Sequence, residues 1–351
     1  MNRLQALRNN GVECALYSDP KNIQYLTGYT GEGYLLVLPN AAYIVTDFRY
    51  VEQAQIQSPF CTVAQTYGKE KPDSAVIYEL LTGANIKALA VETDKLTYDN
   101  YKKLENTFKG VELKKLDSVC EKMRIVKDTG ELDTIAKAAK ISCAAFMDML
   151  KELKPGMTEK QACALLEYRM RINGGEGMAF DTIVAAGEHG SLPHAQPSDR
   201  VISSGELVTF DFGASLGGYC SDMTRTVAVG EISDELRNIY NAVYEAHMMA
   251  LNAVKPGMRT YDIDKIARDY LDSRYPGAFG HSTGHGVGLY IHEKPNVAKT
   301  SEDVLKPGHV ITIEPGVYIP GVGGCRIEDT VFVTEDGYFD PYTAPKQLLV
   351  V

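Results

Sequence analysis

Residues 208–226 read VTFDFGASLGGYCSDMTRT, an apolar strand pattern that leads into a glycine-rich turn and returns as a second strand. We predict the turn at residues 216–218, which places Asp211 and Asp222 opposite or nearly opposite each other in a hairpin. Residues paired in this way have β-carbons about 4.5–5.5 Å apart. Two aspartates at that distance repel each other unless a cation neutralises them. The stretch therefore predicts an antiparallel hairpin that binds a hard divalent metal ion.

A second hairpin with the same features lies at residues 311–330, ITIEPGVYIPGVGGCRIEDT. Glu314 and Glu328 are equidistant from Gly321, which lies in the glycine-rich segment between the two strands. One such pair of acids could equally well lie on a solvated strand face. Two pairs at matching places favour a shared site instead, in which two divalent ions neutralise the four carboxylates.

Both hairpins belong to an internal repeat. The tetrapeptide Lys-Pro-Gly-Met occurs at residues 154–157 and again at residues 255–258, and each copy is followed by a helical pattern and then by one of the hairpins. A repeat of this kind predicts one domain made of two similar halves. We therefore predict an α+β domain with a pseudo-two-fold axis and a site between its halves.

The N-terminal third of the chain is organised differently. Short apolar runs at residues 35–38 and 42–45 flank Pro39-Asn40 and predict a hairpin. Further predicted elements are helices at residues 49–57, 73–81 and 98–108 and strands at residues 62–65 and 88–91. This alternation is typical of an α/β domain.

The pattern changes near residue 122, where we place the domain boundary. Asp128 and Glu131 are spaced as a capping box at the start of a long helix. The predicted domains are therefore an α/β domain at residues 1–122 and an α+β domain at residues 123–351.

Composition narrows the class of protein. The chain has 351 residues, of which 44% are hydrophobic and 23% charged, as is usual for a globular protein of two domains. Its net charge of −10 disfavours nucleic acid as a partner. It has no apolar run of membrane-spanning length and no signal-peptide pattern. The seven cysteines are widely spaced, which indicates a reducing compartment, and we predict a cytoplasmic protein.

All seven histidines fall in the second domain, and those considered for a site are His189, His194, His281, His285 and His292. Glycines surround His285, which suggests a backbone that passes close to a ligand. One imidazole and four carboxylates form a suitable shell for two Mn²⁺, Co²⁺, Fe²⁺ or Zn²⁺ ions. The other histidines could then stabilise a developing oxyanion. His247 and His309 are predicted to be structural.

Other kinds of catalysis lack support in the sequence. There is no GxSxG motif for a serine nucleophile, no known cysteine-nucleophile motif, and neither GxGxxG nor GxxxxGK[ST] for a nucleotide. A metal-dependent hydrolase remains the favoured class.

These motifs resemble the pita-bread metallopeptidases, in the branch of aminopeptidase P and prolidase. The similar segments are LPHA (192–195), DFGA (211–214), SDMTRT (221–226), GHGVG (284–288), IEPG (313–316) and RIEDT (326–330). Near the N-terminus, YLTG (25–28) and TDFRY (46–50) resemble the creatinase-like N-terminal domain of the same branch.

The resemblance implies a set of ligands for two divalent ions: Asp211, Asp222, His285, Glu314 and Glu328. Asp222 and Glu328 would bridge the ions, and Glu314 would also shuttle the proton of the attacking water. Mn²⁺ is the first expectation, with Co²⁺, Zn²⁺ or Fe²⁺ as alternatives.

The resemblance also implies roles for residues that contact the substrate. His194 and His292 would act near the scissile bond, and His281 and Arg326 would bind the substrate, with His281 on the side of the proline. Thr224 lies two residues after Asp222, on the same face of a strand, and is predicted to support the metal shell.

The implied function is hydrolysis of the bond between an N-terminal residue and proline by a metal-bridging hydroxide, in an Xaa-Pro aminopeptidase or Xaa-Pro dipeptidase. Two alternatives are a binding or scaffold protein of the same fold and a hydrolase of a non-proline or non-peptide substrate. The implied assembly is a homodimer, in which the N-terminal domain contributes to oligomerisation and closes the cleft.

Two smaller features have two interpretations each. Residues 47–50 could contact a partner's site or form a capped helix start. Cys220 lies two residues before Asp222, on the same predicted face, and could touch the site, but a packed core thiol is the favoured interpretation.

Overall fold

The alternation of apolar runs and helical patterns in the N-terminal third produces a six-stranded sheet. The computed structural model describes residues 3–351, and the chain divides into two compact units, Met1–Arg124 and Ile125–Val351. In the first unit the strand order is β4-β3-β2-β1-β5-β6. The strands are β1 (Ala15–Tyr17), β2 (Tyr34–Leu38), β3 (Ala41–Thr46), β4 (Thr62–Gln65), β5 (Ala88–Val91) and β6 (Glu112–Lys115).

Six helices accompany this sheet. They are α1 (Arg3–Asn9), α2 (Pro20–Thr27), α3 (Val51–Gln57), α4 (Asp73–Gly83), α5 (Tyr98–Thr107) and α6 (Val119–Ile125). Leu16, Leu36 and Leu89 of the sheet pack with Ile77 of α4 and Leu104 of α5 in one core. The α/β class predicted for this part of the chain is confirmed.

Most of the elements predicted in this unit are present. The hairpin turns at Pro39-Asn40, since Leu38 pairs with Ala41, and β4 and β5 have the predicted bounds. Helix α3 begins at Val51 rather than at residue 49, because Asp47 accepts a hydrogen bond from the backbone of Arg49 and holds residues 47–50 in a turn. The sequence patterns did not predict α1, β1, α2, β6 or α6, which are short.

The second unit has four α-helices, one short 3₁₀ helix (Gly187–Ser191) and thirteen strands among the described residues. The helices are α7 (Thr129–Leu150), α8 (Glu159–Ile172), α9 (Asp234–Asn252) and α10 (Thr260–Asp272). The strands are β7 (Gly177–Met178), β8 (Ile183–Ala186), β9 (Glu206–Phe212), β10 (Ala214–Leu216), β11 (Tyr219–Cys220), β12 (Met223–Val229), β13 (Gly284–Gly286), β14 (Glu293–Val297), β15 (Val310–Ile313), β16 (Gly316–Ile319), β17 (Gly323–Arg326), β18 (Glu328–Val333) and β19 (Tyr338–Phe339).

The capping box at the start of α7 is confirmed. The Asp128 side chain accepts a hydrogen bond from the Glu131 N–H at 2.9 Å, and the Glu131 carboxylate accepts one from the Asp128 N–H at 2.9 Å. These two bonds satisfy N–H groups that have no partner inside the helix, which fixes where α7 begins.

The main sheet shows the pseudo-two-fold arrangement predicted from the repeat. Its order is β14-β13-β15-β18-β12-β9-β8, so that β8, β9 and β12 of one half mirror β13, β15 and β18 of the other. Helices α7 and α8 share a core with the first set of strands, and α9 and α10 with the second. The two halves meet where β12 pairs with β18.

The two Lys-Pro-Gly-Met segments occupy equivalent places in these halves. After the first, Thr158 forms a β-bridge with Val201; after the second, Arg259 forms one with Val304. In each half the bridge ties the start of a helix to the segment that leads into the next strand. The repeat in the sequence is therefore a repeat of structure.

Candidate active site

The first hairpin has a different register from the predicted one. Gly217 and Gly218, with φ of 54° and 77°, form a two-residue turn, so Leu216 pairs with Tyr219. Two glycines at positive φ suit such a turn, whereas we had predicted a three-residue turn.

This register changes the relation between the two aspartates. Asp211 pairs with Thr224, and Asp222 lies before β12, two residues from the position opposite Asp211. Of the two predicted arrangements, opposite or nearly opposite, the directly opposed one does not form, and the two side chains are diagonal neighbours on one face.

The second hairpin has the predicted register. Ile313 pairs with Asp329, and Gly316 pairs with Arg326, so Glu314 faces Glu328 across the hairpin. The turn between β16 and β17 lies around Gly321, which has a φ of 78°.

The two hairpins meet at the centre of the sheet. Thr224 of β12 pairs with Glu328 of β18, and the Thr224 hydroxyl donates a hydrogen bond to the Glu328 carboxylate at 2.6 Å. Thr224 was predicted to support the metal shell, and this bond to Glu328, a proposed ligand from the other half, agrees with that prediction.

His285 enters the site from β13. Its Nδ1 bonds the Gly286 carbonyl at 3.1 Å, and because a carbonyl only accepts, Nδ1 carries the proton. Its Nε2 is then free to act as a ligand, and lies 3.5 Å from the Asp222 carboxylate and 3.3 Å from that of Glu314. A histidine whose second nitrogen bonds a backbone carbonyl is a common arrangement in metal sites.

The glycines beside His285 allow the neighbouring backbone to pack closely. A β-carbon on Gly284 would lie 1.9 Å from the Thr312 carbonyl oxygen, and one on Gly286 would lie 2.3 Å from that of Lys294. That these glycines mark a close approach to a ligand stays a prediction, and Gly284 is one of the residues that line the cavity of the site. Both glycines allow β13 to lie close to the flanking backbone.

All the site residues predicted from the sequence line one cavity of about 450 Å³. They are His194, Asp211, Asp222, His281, His285, His292, Glu314, Arg326 and Glu328. Apolar side chains that the sequence did not identify line the same cavity: Phe180, Ile183, Pro193, Ile291 and Ala298. A cavity that combines several charged groups with an apolar wall suits a small peptide.

The carboxylates carry excess negative charge. Burial and the charges of Glu328 and Asp211 raise the pKa of Asp222 well above its usual value. Burial and the charges of Glu314 and Asp211 do the same to the pKa of Glu328. Burial also opposes ionisation of Glu314, but His285 outweighs it and lowers the pKa of that residue.

The donor set fits divalent metal ions. Asp222, His285 and Glu328 each offer a ligand atom, and these atoms lie within 4.8 Å of one another. The Oδ1 atom of Asp211 is buried and has no hydrogen-bond partner among the described residues. A cation would satisfy that oxygen and remove the repulsion between the acids.

A chain of hydrogen bonds links Arg326 to His281 through Tyr318, a residue that we did not predict. Arg326 donates to Asp211 at 2.6 Å and to the Tyr318 hydroxyl at 2.7 Å. The Tyr318 hydroxyl lies 2.8 Å from Nε2 of His281, and burial raises the pKa of Tyr318 to about 12. Tyr318 pairs with Gly324, so strand alternation could have placed it on the face of Arg326.

The remaining histidines separate into two groups. His292 stands edge-on to His285, with ring centroids 4.4 Å apart, and burial and the charge of His285 lower the pKa of His292. His194 is exposed and lines the same cavity. In contrast, His189 bonds Glu159 at 2.9 Å, and buried His247 bonds Asp329 at 2.9 Å.

Cys220 is a buried thiol outside the group of residues that line the cavity. Its Sγ lies 3.9 Å from the Leu289 carbonyl oxygen. The interpretation as a packed core thiol agrees with this position.

Comparison with known proteins gives a family for both parts of the chain. Residues 133–335 match metallopeptidase family M24, and residues 2–126 match the creatinase/prolidase N-terminal domain. An Xaa-Pro dipeptidase of Pyrococcus furiosus is 40% identical over 334 residues, which cover 93% of this chain and 92% of that protein.

Two solved structures are similar over almost the whole chain. An Xaa-Pro dipeptidase from Bacillus anthracis has a TM-score of 0.94 and 40% identity, covering 99% of this chain and 98% of that one. An X-Pro aminopeptidase from Thermotoga maritima MSB8 has a TM-score of 0.93 and 36% identity, covering 99% of this chain and 100% of that one.

The chain belongs to metallopeptidase family M24, in the branch that contains aminopeptidase P and prolidase. The predicted resemblance, the creatinase-like and pita-bread domains, and the enzyme class of metallopeptidase are therefore confirmed. The family implies divalent metal ions as cofactors. None of the helices described between residues 3 and 351 is long and apolar enough to cross a membrane.

Proposed function

We propose that this enzyme hydrolyses the peptide bond between an N-terminal residue and proline, as an Xaa-Pro aminopeptidase or Xaa-Pro dipeptidase. The observation that carries the proposal is the convergence of four carboxylates, four histidines and Arg326 in one cavity. Its relatives include two Xaa-Pro dipeptidases and an X-Pro aminopeptidase, which supports the same class of substrate.

The proposed ligands of two divalent cations are Asp211, Asp222, His285, Glu314 and Glu328, and Mn²⁺ is the first candidate. When bound, the cations supply an activated water and polarise the scissile carbonyl. The protein's own contribution is to hold the ligands in place through Thr224, Gly286 and Arg326.

Glu314 is the proposed proton carrier. The Thr312 hydroxyl and His285 both contact its Oε1 atom, at 3.1 and 3.3 Å. Its other oxygen, Oε2, can take the proton of the attacking water and deliver it to the proline nitrogen as the C–N bond breaks. The water oxygen becomes part of the new carboxylate of the N-terminal residue.

His292 and His194 are the proposed donors to the carbonyl oxygen as it gains charge. His281 and Arg326 would form the wall against which the proline ring lies, and the Tyr318 hydroxyl bonds both of them. Because Arg326 is already paired with Asp211, its main contribution in this proposal is to fix Asp211 and Tyr318.

Activity against a small panel of peptides tests this proposal. Ala-Pro and Ala-Pro-Gly separate dipeptidase from aminopeptidase activity, and Ala-Gly is the control for proline. We expect cleavage of at least one proline peptide, loss of activity after exhaustive chelation, and recovery with Mn²⁺ or Co²⁺. Full activity in protein shown to be metal-free would contradict the metal mechanism.

Elemental analysis separates the enzyme from a binding or scaffold protein. Bound divalent metal at about two ions per chain is expected. Cleavage of Ala-Gly in preference to both proline peptides would support a hydrolase of another substrate class.

A homodimer in the cytoplasm is part of the proposal. None of the seven cysteines, all of which lie within the described residues, forms a disulfide, which supports a reducing compartment. Light scattering of the metal-loaded enzyme tests the dimer, and a monomer at micromolar concentration would contradict it.

A further inference from the structure

Two proposed metal ligands, Asp222 and Glu314, lie outside the strands, and Asp222 is the one whose N–H and carbonyl both bond side-chain hydroxyls. It lies between β11 and β12, outside both, so its backbone is not part of the hairpin ladder. Its N–H instead donates to the Tyr342 hydroxyl at 2.9 Å. Its carbonyl accepts a hydrogen bond from the Thr330 hydroxyl at 2.9 Å. Two side-chain hydroxyls thus bond the N–H and the carbonyl of Asp222, in place of the backbone groups that a neighbouring strand would supply.

Both hydroxyls come from distant parts of the chain. Thr330 belongs to β18, in the opposite half of the sheet, and is fully buried. Tyr342 lies 120 residues from Asp222, in a segment after β19 that has no helix, and only 5% of its surface is exposed. In such a buried place an N–H without a partner costs about 1–3 kcal/mol. Removal of the Tyr342 hydroxyl would therefore allow this backbone to move.

The segment that carries Tyr342 is itself fixed to the sheet. Buried Arg225 of β12 donates from Nε to the Pro345 carbonyl at 3.0 Å and from a terminal nitrogen to the Ala344 carbonyl at 3.1 Å. Further along, the Ala228 N–H donates to the Leu349 carbonyl at 2.9 Å. Tyr342 thus lies in a segment that is hydrogen-bonded to β12 and has little freedom to move.

Repulsion within the site makes such anchors necessary. The Asp222 side chain faces the carboxylates of Asp211 and Glu328, which push it away until a cation is present. Because Asp222 is outside the ladder, its strand cannot resist that force by itself. The two hydroxyls resist it by fixing the N–H and the carbonyl on either side of the Cα atom.

We propose that Tyr342 and Thr330 are positioning residues that hold Asp222 in the geometry required for metal binding. The inference rests on the proposed function in that Asp222 must be a metal ligand. Neither hydroxyl is among the groups that line the substrate cavity. Groups that orient a metal ligand from behind are worth about 10–100-fold in metal affinity.

Tyr342→Phe tests the proposal, because it removes one oxygen and keeps the aromatic ring. Metal-free protein is titrated with Mn²⁺ in a calorimeter, and unfolding by urea is measured on the same metal-free protein. We expect Mn²⁺ to bind about tenfold more weakly in this variant. Turnover at saturating Mn²⁺ should recover most of the wild-type value, because no group that touches the substrate is lost. Thr330→Val, which keeps the shape of the side chain, should weaken binding in the same direction.

Tyr240→Phe is the matched control. The Tyr240 hydroxyl donates to the Lys346 carbonyl at 2.8 Å, so this variant also loses one buried hydrogen bond to the same segment, but it makes none with Asp222. We expect its Mn²⁺ affinity to stay within about twofold of wild type while the metal-free protein loses about 1 kcal/mol of stability.

The outcomes separate the possible failures. Wild-type affinity in Tyr342→Phe would overturn the inference, and so would an equal loss of affinity in Tyr240→Phe, since the segment as a whole would then be responsible. If Tyr342→Phe does not fold, Thr330→Val decides alone, and unchanged affinity there would overturn the inference. Wild-type enzyme that binds no Mn²⁺ and no other divalent ion would instead overturn the proposed function.

Discussion

The two carboxylate hairpins share one plan but differ in regularity. In the second hairpin, Glu314 and Glu328 face each other in register. In the first hairpin, Asp222 is displaced by two residues from the position opposite Asp211 and leaves the strand ladder. In the second hairpin it is Glu314 that lies outside the strands, between β15 and β16, and its N–H donates to the Thr283 carbonyl at 2.7 Å. The two halves therefore place their carboxylates in the same site, although the backbone around those carboxylates differs between the halves.

In each half, a side chain also donates a hydrogen bond to the backbone carbonyl of a proposed metal ligand in the other half. A terminal nitrogen of Arg225, from the first half, donates to the Glu328 carbonyl at 2.6 Å. Thr330, from the second half, donates to the Asp222 carbonyl at 2.9 Å. Each hairpin therefore depends on the other half of the domain to hold its carboxylate in the site.

The largest expected effect comes from removing one charge from either hairpin. Asp222→Asn and Glu328→Gln should each lower kcat by about 10³-fold or more, because each weakens the proposed pair of metal ions. The metal-free variants should be at least as stable as metal-free wild type, because buried repulsion is reduced. Peptide assays and urea unfolding with chelator check both points. A variant that keeps near-normal turnover would show that its hairpin does not hold metal.

A smaller effect, on stability, concerns two residues at the starts of the equivalent strands β9 and β15. Glu206 and His309 occupy matching places, and each accepts a hydrogen bond from a backbone N–H three residues earlier, at 3.0 and 3.3 Å. Burial lowers the pKa of His309 to about 4, and Lys127 and Lys306 add to the shift. Burial opposes ionisation of Glu206, but Arg200 and the Ser203 N–H outweigh it and lower its pKa.

His309 therefore makes the protein less stable in mild acid. The unfolded chain binds a proton at His309 below pH about 6.5 and the folded chain only near pH 4, so stability present above pH 6.5 is lost as the pH falls to 4. His309→Gln should reduce the stability lost between pH 6.5 and pH 4 by at most about 3 kcal/mol. Glu206→Gln is the control, since its carboxyl titrates at lower pH. Urea unfolding of metal-free protein at several pH values between 4 and 7 measures both, and equal slopes in wild type and His309→Gln would contradict the assignment.

The smallest effect concerns the turns that set the two registers. Gly217 and Gly321 have φ of 54° and 78°, and an alanine at either place should cost about 1 kcal/mol of stability. Asparagine tolerates positive φ better, so Gly217→Asn should cost less than Gly217→Ala. Thermal unfolding of the metal-free variants compares them. If asparagine costs as much as alanine, a cause other than backbone conformation is responsible.

Much of the site could be predicted because its residues lie in short motifs. Hairpin pairing is a local property, so the spacing of Glu314 and Glu328 around Gly321 was enough to predict their register, and the repeat indicated a common site. The same arithmetic failed for Asp211 and Asp222, because a shift from a three-residue to a two-residue turn moves every later pair. The chemistry of the Gly-Gly pair was present in the sequence and could have corrected it.

Other parts of the site depend on contacts that no local pattern contains. Tyr342 reaches Asp222 across 120 residues, and the apolar wall around Phe180 and Ile291 is assembled from separate loops. In the N-terminal unit, short elements such as β1 span only three residues, too few for a periodic signal. Tertiary packing rather than propensity determines these features.

The pairing of β12 with β18 has a consequence for synthesis of the chain. Thr224 and Glu328, which pair at the centre of the sheet, are 104 residues apart. A ribosome that adds roughly 5–20 residues per second needs on the order of 5–20 s to travel that distance. During this interval β12, whose residues are all buried in the finished protein, has one open edge of unpaired backbone groups. Such an edge promotes aggregation, so the nascent catalytic domain passes through a vulnerable period that ends only when β18 is made.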